Sequence, residues 1–311
     1  MKAVIHIGTP KSGTTTIQSF LSLNRTALQD QGIRYQPFDP RNIAQLELGL
    51  AGLVGVGEMA GAANKKHALG AHTRAEQEAY VARFDAMLAE GVKTWPEGVY
   101  LGSSEQVHSW LSTRPRVQAL HDFLKRHFES VHYIVYYRPQ EEFMLSTYSE
   151  RIKRGEILTF DEHYQQRLEA MDFHRKAKIW TRVAGRENLT VRLLDRTELK
   201  NGDLLDDFCA AAGIDRGPLQ DPPRMNVSLS AEEIDLYLKL GRRIPARRAN
   251  GGPNPVFFGL LKLMKMRLPN PGTRLRLSQA QIAEIRALNA ESNERLRADF
   301  FPERETLFSQ R

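Results

Sequence analysis

Hydrophobic positions along the chain fall into short unbroken runs separated by stretches of helical period. The runs are Ala3 to Ile7, Val99 to Leu101, Val131 to Tyr137 and Asn188 to Asp195, rich in β-branched and aromatic residues. Strands buried on both faces read this way, because helices cover both sides of the sheet. Between the runs, apolar residues recur every three or four positions. Ile17, Phe20 and Leu21 follow the first run with polar Gln18, Ser19 and Ser22 among them. Tyr80, Phe84, Met87 and Leu88 share a face of a helix expected over 74–91, and Val117, Leu120, Phe123 and Leu124 a face of one over 115–129. Asp161 to Trp180 reads as one helix with Phe173, Ala177 and Trp180 in the core. Leu204 to Gly213 reads as another, stopped by its glycine, and Leu277 to Phe300 as a last amphipathic helix. Gln31 to Pro37 is a helix stop and an extended segment. Residues 41–72 are rich in Ala, Gly and Leu without firm period, which suits helices and loops. Ile214 to Arg224, with its prolines and charges, is a surface linker. Ser230 with Glu233 three residues on marks a capped helix start within Asn226 to Glu233.

Composition adds bounds to this pattern. A chain of 311 residues with 41% apolar and 26% charged residues suits one large soluble α/β domain, or one carrying an insertion. There are 44 Lys and Arg against 37 Asp and Glu, a net charge of +7. That balance suits an anionic cofactor or acidic substrate, and equally nucleic acid or a membrane surface. Between Leu236 and Ala283 no acidic residue occurs, while ten cations do, from Lys239 to Arg276. Such asymmetry points to a binding face. The single cysteine, Cys209, excludes an internal disulfide and a cysteine-based zinc site; in its apolar helix it reads as a small buried hydrophobe. No apolar stretch is long enough to span a membrane, and the chain enters a strand at once without a basic-then-apolar leader, so a cytoplasmic protein is expected.

The chemistry starts where the first run ends. Gly8-Thr-Pro-Lys-Ser-Gly13 is a turn with two glycines, a proline and a lysine, and Thr14-Thr-Thr16 opens the helix. Strand, glycine-bearing turn and helix make an anion cradle, because turn amides and the first unbonded helix amides point at one spot. Lys11 adds a full charge, and Ser12, Thr14, Thr15 and Thr16 add hydroxyl donors. A Walker loop needs lysine directly after its second glycine, where Thr14 stands, and a G-x-G-x-x-G dinucleotide fingerprint is absent. Thr9-Pro-Lys-Ser-Gly-Thr-Thr-Thr16 closely resembles the 5′-phosphosulfate loop of the sulfotransferases that use 3′-phosphoadenosine 5′-phosphosulfate (PAPS). A second match supports it. In those enzymes a strand ends in Arg, a Ser lies eight residues on, and the pair binds the 3′-phosphate; here Arg138 follows the Val131–Tyr137 run and Ser146 stands at that spacing. Pro139 suits a first helical turn.

The resemblance implies a three-layer α/β sandwich with a central parallel sheet, like the nucleotide kinases. It is read as one domain over 1–311, with a mainly helical insertion at about 40–95 and a basic helical C-terminal region at about 226–311. It implies PAPS as donor and 3′-phosphoadenosine 5′-phosphate (PAP) as product, with no metal required because Lys11 does the neutralising. Sugar sulfotransferases carry a glutamate general base, and Glu105, just past the polar tip of the second long run, is the matching carboxylate, with His108 on the same helical face. The alternative for Glu105 is a helix N-terminal charge after a Ser103/Ser104 cap; for His108 it is a surface or supporting role. Arg151, Lys153 and Arg154 before Gly155 either complement a helix dipole or line an acceptor groove for an anionic sugar. Arg247-Arg-Ala-Asn-Gly-Gly252 suggests a loop closing on the 3′-phosphate. Val256 to Leu268, apolar with interleaved cations, either rests on an anionic membrane or packs over the sheet. The acceptor implied is a saccharide or lipid-linked glycan. Two other classes fit the charge or fold: a nucleotide-dependent kinase, and a basic protein that binds nucleic acid or acidic membranes without catalysis.

Overall fold

The computed structural model describes residues 1–39, 43–223, 228–269 and 272–309. Among these, five strands form one sheet: β1 (Lys2–Ile7), β2 (Ile33–Arg34), β3 (Val99–Ser104), β4 (Val131–Tyr137) and β5 (Leu189–Leu193). All neighbours are parallel, in the order β2-β3-β1-β4-β5. The helices are α1 (Thr14–Leu23), α2 (Arg25–Asp30), α3 (Leu46–Val54), α4 (Ala63–Leu69), α5 (Arg74–Thr94), α6 (Glu105–Trp110), α7 (Arg114–Lys125), α8 (Gln140–Lys153), α9 (Phe160–Arg167), α10 (Phe173–Ala184), α11 (Leu204–Ala212), α12 (Ala231–Gly241), α13 (Pro255–Lys265) and α14 (Gln279–Phe300).

Strand periodicity builds the layers. Ile5, Ile7, Tyr133, Val135 and Tyr137 face one side, packed with Leu48 of α3, Phe84 of α5, Leu120 of α7 and Trp180 of α10. The alternate residues Ile134 and Tyr136, with Leu101, face the other side and meet Ile17 and Phe20 of α1 and Phe208 of α11. Each large side chain so buried contributes about 1.5–3 kcal/mol relative to exposure. This is the three-layer α/β sandwich around a parallel sheet that the sequence implied.

Several elements differ from the sequence reading. Residues 161–180 do not form one helix. The chain breaks at Asp172, whose carboxylate caps α10 by accepting from the Arg175 amide (2.9 Å) and also accepts from the Ser292 hydroxyl (2.6 Å). Residues 41–72 lack a helical period because α3 is buried on nearly every side, Leu46 through Leu53, against α5, α6 and α7. Helix α13 does not pack over the sheet. Its Phe257 and Leu261 join Tyr237 of α12 and Tyr148 and Ile152 of α8 in a separate cluster that holds no strand residue. Val256, Leu263 and Met266 stay exposed on its outer side. Ser230 and Glu233 do form the expected capping box of α12, while Arg224 and Asn226 fall outside the described residues.

Candidate active site

The strand order sets where chemistry can gather. From β1 the chain leaves toward β3 and β2; from β4 it leaves toward β5. The carboxyl ends of β1 and β4 therefore flank a crevice, and in open α/β sheets such switch points hold ligands. Ile7 pairs with Ser104 of β3 on one side and Val135 of β4 on the other. The loop 8–13 thus rises between Glu105, which directly follows Ser104, and Arg138, which lies three residues beyond Val135.

Two glycines let the loop take its path. A Cβ on Gly8 would stand 2.9 Å from the Glu105 amide nitrogen, and Gly13 has φ +77°. Lys11 itself holds φ +61°, a left-handed conformation that costs a non-glycine residue roughly 1–2 kcal/mol. Ile17 is the first residue of α1 whose amide reaches the carbonyl four residues back, that of Gly13 (3.0 Å). Among the described residues the amides of Thr14, Thr15 and Thr16 have no such partner. The buried hydroxyls of Thr9 and Ser12 have no hydrogen-bond partner either. The Thr14 hydroxyl instead donates to the Thr9 carbonyl (3.1 Å), bracing the turn. A loop with this many unused donors around one spot is shaped for an anion.

Arg138 closes the crevice. Its Nη1 donates to the Lys11 carbonyl (2.7 Å) and to the Ser146 hydroxyl (3.3 Å), and its Nη2 to Glu142 (2.6 Å). Its Nε is buried without a partner. Ser146 is buried on α8 and donates back to the Phe143 carbonyl (3.2 Å). The guanidinium thus joins Ser146 to the loop that carries Lys11, Ser12 and Gly13 and that opens α1 at Thr14, Thr15 and Thr16.

Glu105 opens α6 on the other flank of the loop. Ser104 holds the N-cap position, but its side chain does not cap; Ser103 turns its hydroxyl to the buried His6 ring (2.8 Å) instead. The Glu105 carboxylate accepts from Arg154 (3.0 Å), Arg154 also donates to Glu150 (3.1 Å), and Glu150 lies 3.6 Å from the Lys11 ammonium. Alternating charges therefore run from Lys11 to Glu105, three of the four on or just beyond α8 and α1's loop. Glu150 was not singled out from sequence; its four-residue spacing from Ser146 was the available signal. His108 is buried, with its Nε2 3.3 Å from the Lys176 ammonium. Burial and Lys176 hold it well below the ordinary histidine range, so the ring is neutral.

The loop at Arg247 sits elsewhere than expected. Its guanidinium donates to the carbonyls of Arg154 (3.3 Å) and Gly251 (3.0 Å), which places it by Glu105's partner, and its hydrogen bonds go neither to Arg138 nor to Ser146. Among the described residues no group of three His, Cys, Asp or Glu side chains gathers as a metal site, and no helix is long and apolar enough to cross a membrane.

No protein-family model matches the sequence, and no curated protein matches it. Among solved structures, the crystal structure of a sulfotransferase from Alicyclobacillus acidocaldarius is similar over 76% of this chain and 91% of its own, with 18% identity and a TM-score of 0.45.

Proposed function

We propose that the protein transfers a sulfuryl group from PAPS to a hydroxyl or amine of an acceptor, a saccharide or lipid-linked glycan. The observation that carries this reading is the contact of Arg138 with both the Lys11 carbonyl and Ser146. It brings together two strand ends with polar donors at one switch point, as a nucleotide phosphorylated at both ends would require. The fit rests on this chain's unused donors: the Thr9 and Ser12 hydroxyls, the Arg138 Nε and the first amides of α1.

In this reading the loop amides, Lys11 and Ser12 hold the 5′-phosphosulfate, and Arg138 and Ser146 hold the 3′-phosphate through charge-assisted hydrogen bonds. PAPS, when bound, supplies the activated sulfuryl group. Glu105 takes the proton of the acceptor hydroxyl as that oxygen bonds to sulfur, a role that typically contributes about 10²–10⁴-fold. Lys11 and the α1 amides take up the charge left on the bridging phosphate oxygen as the old sulfur–oxygen bond breaks. Arg154 orients the Glu105 carboxylate. His108, neutral and turned to Lys176, supports that wall rather than taking the proton.

Calorimetry with PAP tests the proposal. Wild type should bind, and Lys11→Ala and Arg138→Ala should each weaken binding by roughly tenfold or more, the loss of about one charged hydrogen bond. Equal binding by all three proteins would defeat it.

A further inference from the structure

The wall beyond Glu105 carries several cations, three of which form no ion pair among the described residues. Helix α6 meets a different cation at each of three residues: Arg154 at Glu105 (3.0 Å), Lys176 at His108 (3.3 Å) and Lys65 over the Trp110 ring (5.8 Å). Arg154 is matched by Glu105 and Glu150. The others are not matched. Among the described residues Lys65 lies over the Trp110 ring and forms no ion pair, although Glu105 and Glu150 act on it from a distance, and Lys176 has the neutral His108 ring. Arg167, at the end of α9, has no hydrogen-bond or ion-pair partner among them. All three are only partly exposed.

Each of these charges feels another cation nearby. Burial and then Arg167 hold the Lys176 ammonium down to about 8. Burial and then Arg154 lower Lys65, and burial and then Arg151 lower Arg167. The nearby acids are committed elsewhere: Glu105 and Glu150, which act on Lys65, to Arg154 (3.0 and 3.1 Å), Glu156 to Arg151 (2.6 Å) and Asp172 to the cap of α10. Half-buried cations without an ion pair work against the fold unless a ligand offsets them. A groove walled by one sign of charge concentrates ions of the other.

We propose that the acceptor is itself acidic: a saccharide whose carboxylate or sulfate group is held by Lys65, Arg167 and Lys176 while its reacting hydroxyl faces Glu105. The proposal rests on the sulfuryl-transfer reading for the word acceptor; the anion site itself does not.

The test titrates the full chain, with PAP present, with three probes at low salt: tetragalacturonate, which carries only carboxylates; sucrose octasulfate, which carries only sulfates; and neutral maltotetraose. At least one acidic probe should bind at least roughly tenfold more tightly than maltotetraose, and which of the two does so identifies the acidic group. Lys65→Met and Arg167→Met should each weaken that probe by about tenfold and leave PAP affinity within about twofold. Their melting temperatures should hold or rise, since each removes an unmatched charge; a merely structural role would lower them. Equal binding of acidic and neutral probes, or variants that bind the acidic probe as wild type does, overturns the proposal. So does a parallel loss of PAP affinity, which would assign these cations to the donor. A wild type that binds the acidic probe but no PAP keeps the anion site and ends its role as an acceptor site.

Discussion

Glu47 shows how one buried carboxyl shapes stability. It lies inside α3 at 1% exposure and accepts from the Phe38 amide (2.9 Å). Burial pushes its carboxyl from the ordinary 4.5 up to about 7, with Asp39 adding to the rise. Between those values the folded chain holds a proton that the unfolded chain has lost. Stability therefore falls as pH rises through that window and is lower by about 3 kcal/mol above it. Burial holds His6 down to about 3, so its effect has the opposite sign: stability is lost as pH falls below the ordinary 6.5. Glu47→Gln keeps an acceptor for Phe38 and removes the titration. Urea unfolding should find the variant more stable than wild type near about pH 8 and equal to it near about pH 4; a variant less stable at the higher pH would contradict this. At this scale the sequence was legible where local chemistry suffices. Lys11, Ser12 and Arg138 announce themselves because glycines, a strand end and a helix start fix their surroundings within a few residues. Glu47 and Lys65 do not, since their environments are made by α3 packing into the core and by the approach of α6.

Helix α8 is the element on which the crevice hangs. Glu142, Ser146, Glu150 and Arg154 follow Arg138 at steps of four, so they line one side of the helix and its end. They contact, in turn, Arg138, Arg138, Lys11 and Glu105. Two members carry a sign that works against a phosphate: Glu142, which holds Arg138 at 2.6 Å, and Glu150, which competes for the Lys11 ammonium at 3.6 Å. Glu150→Gln should therefore tighten PAP by about three- to tenfold in calorimetry, the scale of a partly exposed ion pair. Unchanged or weaker binding would show that Lys11 is not shared. The spacing of Arg138 and Ser146 was readable because a helix preserves it. The break at Asp172 was hidden because its cap is completed by Ser292 from α14, although the apolar period shifts there, from Tyr164, Leu168 and Met171 to Phe173, Ala177 and Trp180. The two faces of α13 were likewise hidden, since its packing depends on α12 arriving from earlier in the chain.

At the scale of the whole molecule, the question is whether the basic tract acts as a field or through contacts. Its ten cations between residues 236 and 283 exceed the net charge of +7, so the remainder of the chain is slightly acidic. Arg242, Arg243 and Arg248 are exposed, and among the described residues their side chains make no hydrogen bond or ion pair with the loop at Lys11 or with Arg138. Arg247, by contrast, is half-buried and bound to the Arg154 carbonyl. At physiological salt, charges separated by more than about 8 Å through water are largely screened. A catalytic crevice built on contacts should then ignore the exposed cations. Replacing Arg242, Arg243 and Arg248 together by Gln should leave PAP affinity within about twofold at that salt, and should weaken retention of duplex DNA in a binding assay. A protein whose purpose was general anion binding would behave otherwise: the triple variant would lose PAP and DNA together, and Lys11→Ala would lose neither. The two variants thus separate a site from a surface, because one removes charge without contact and the other removes contact with little change in charge.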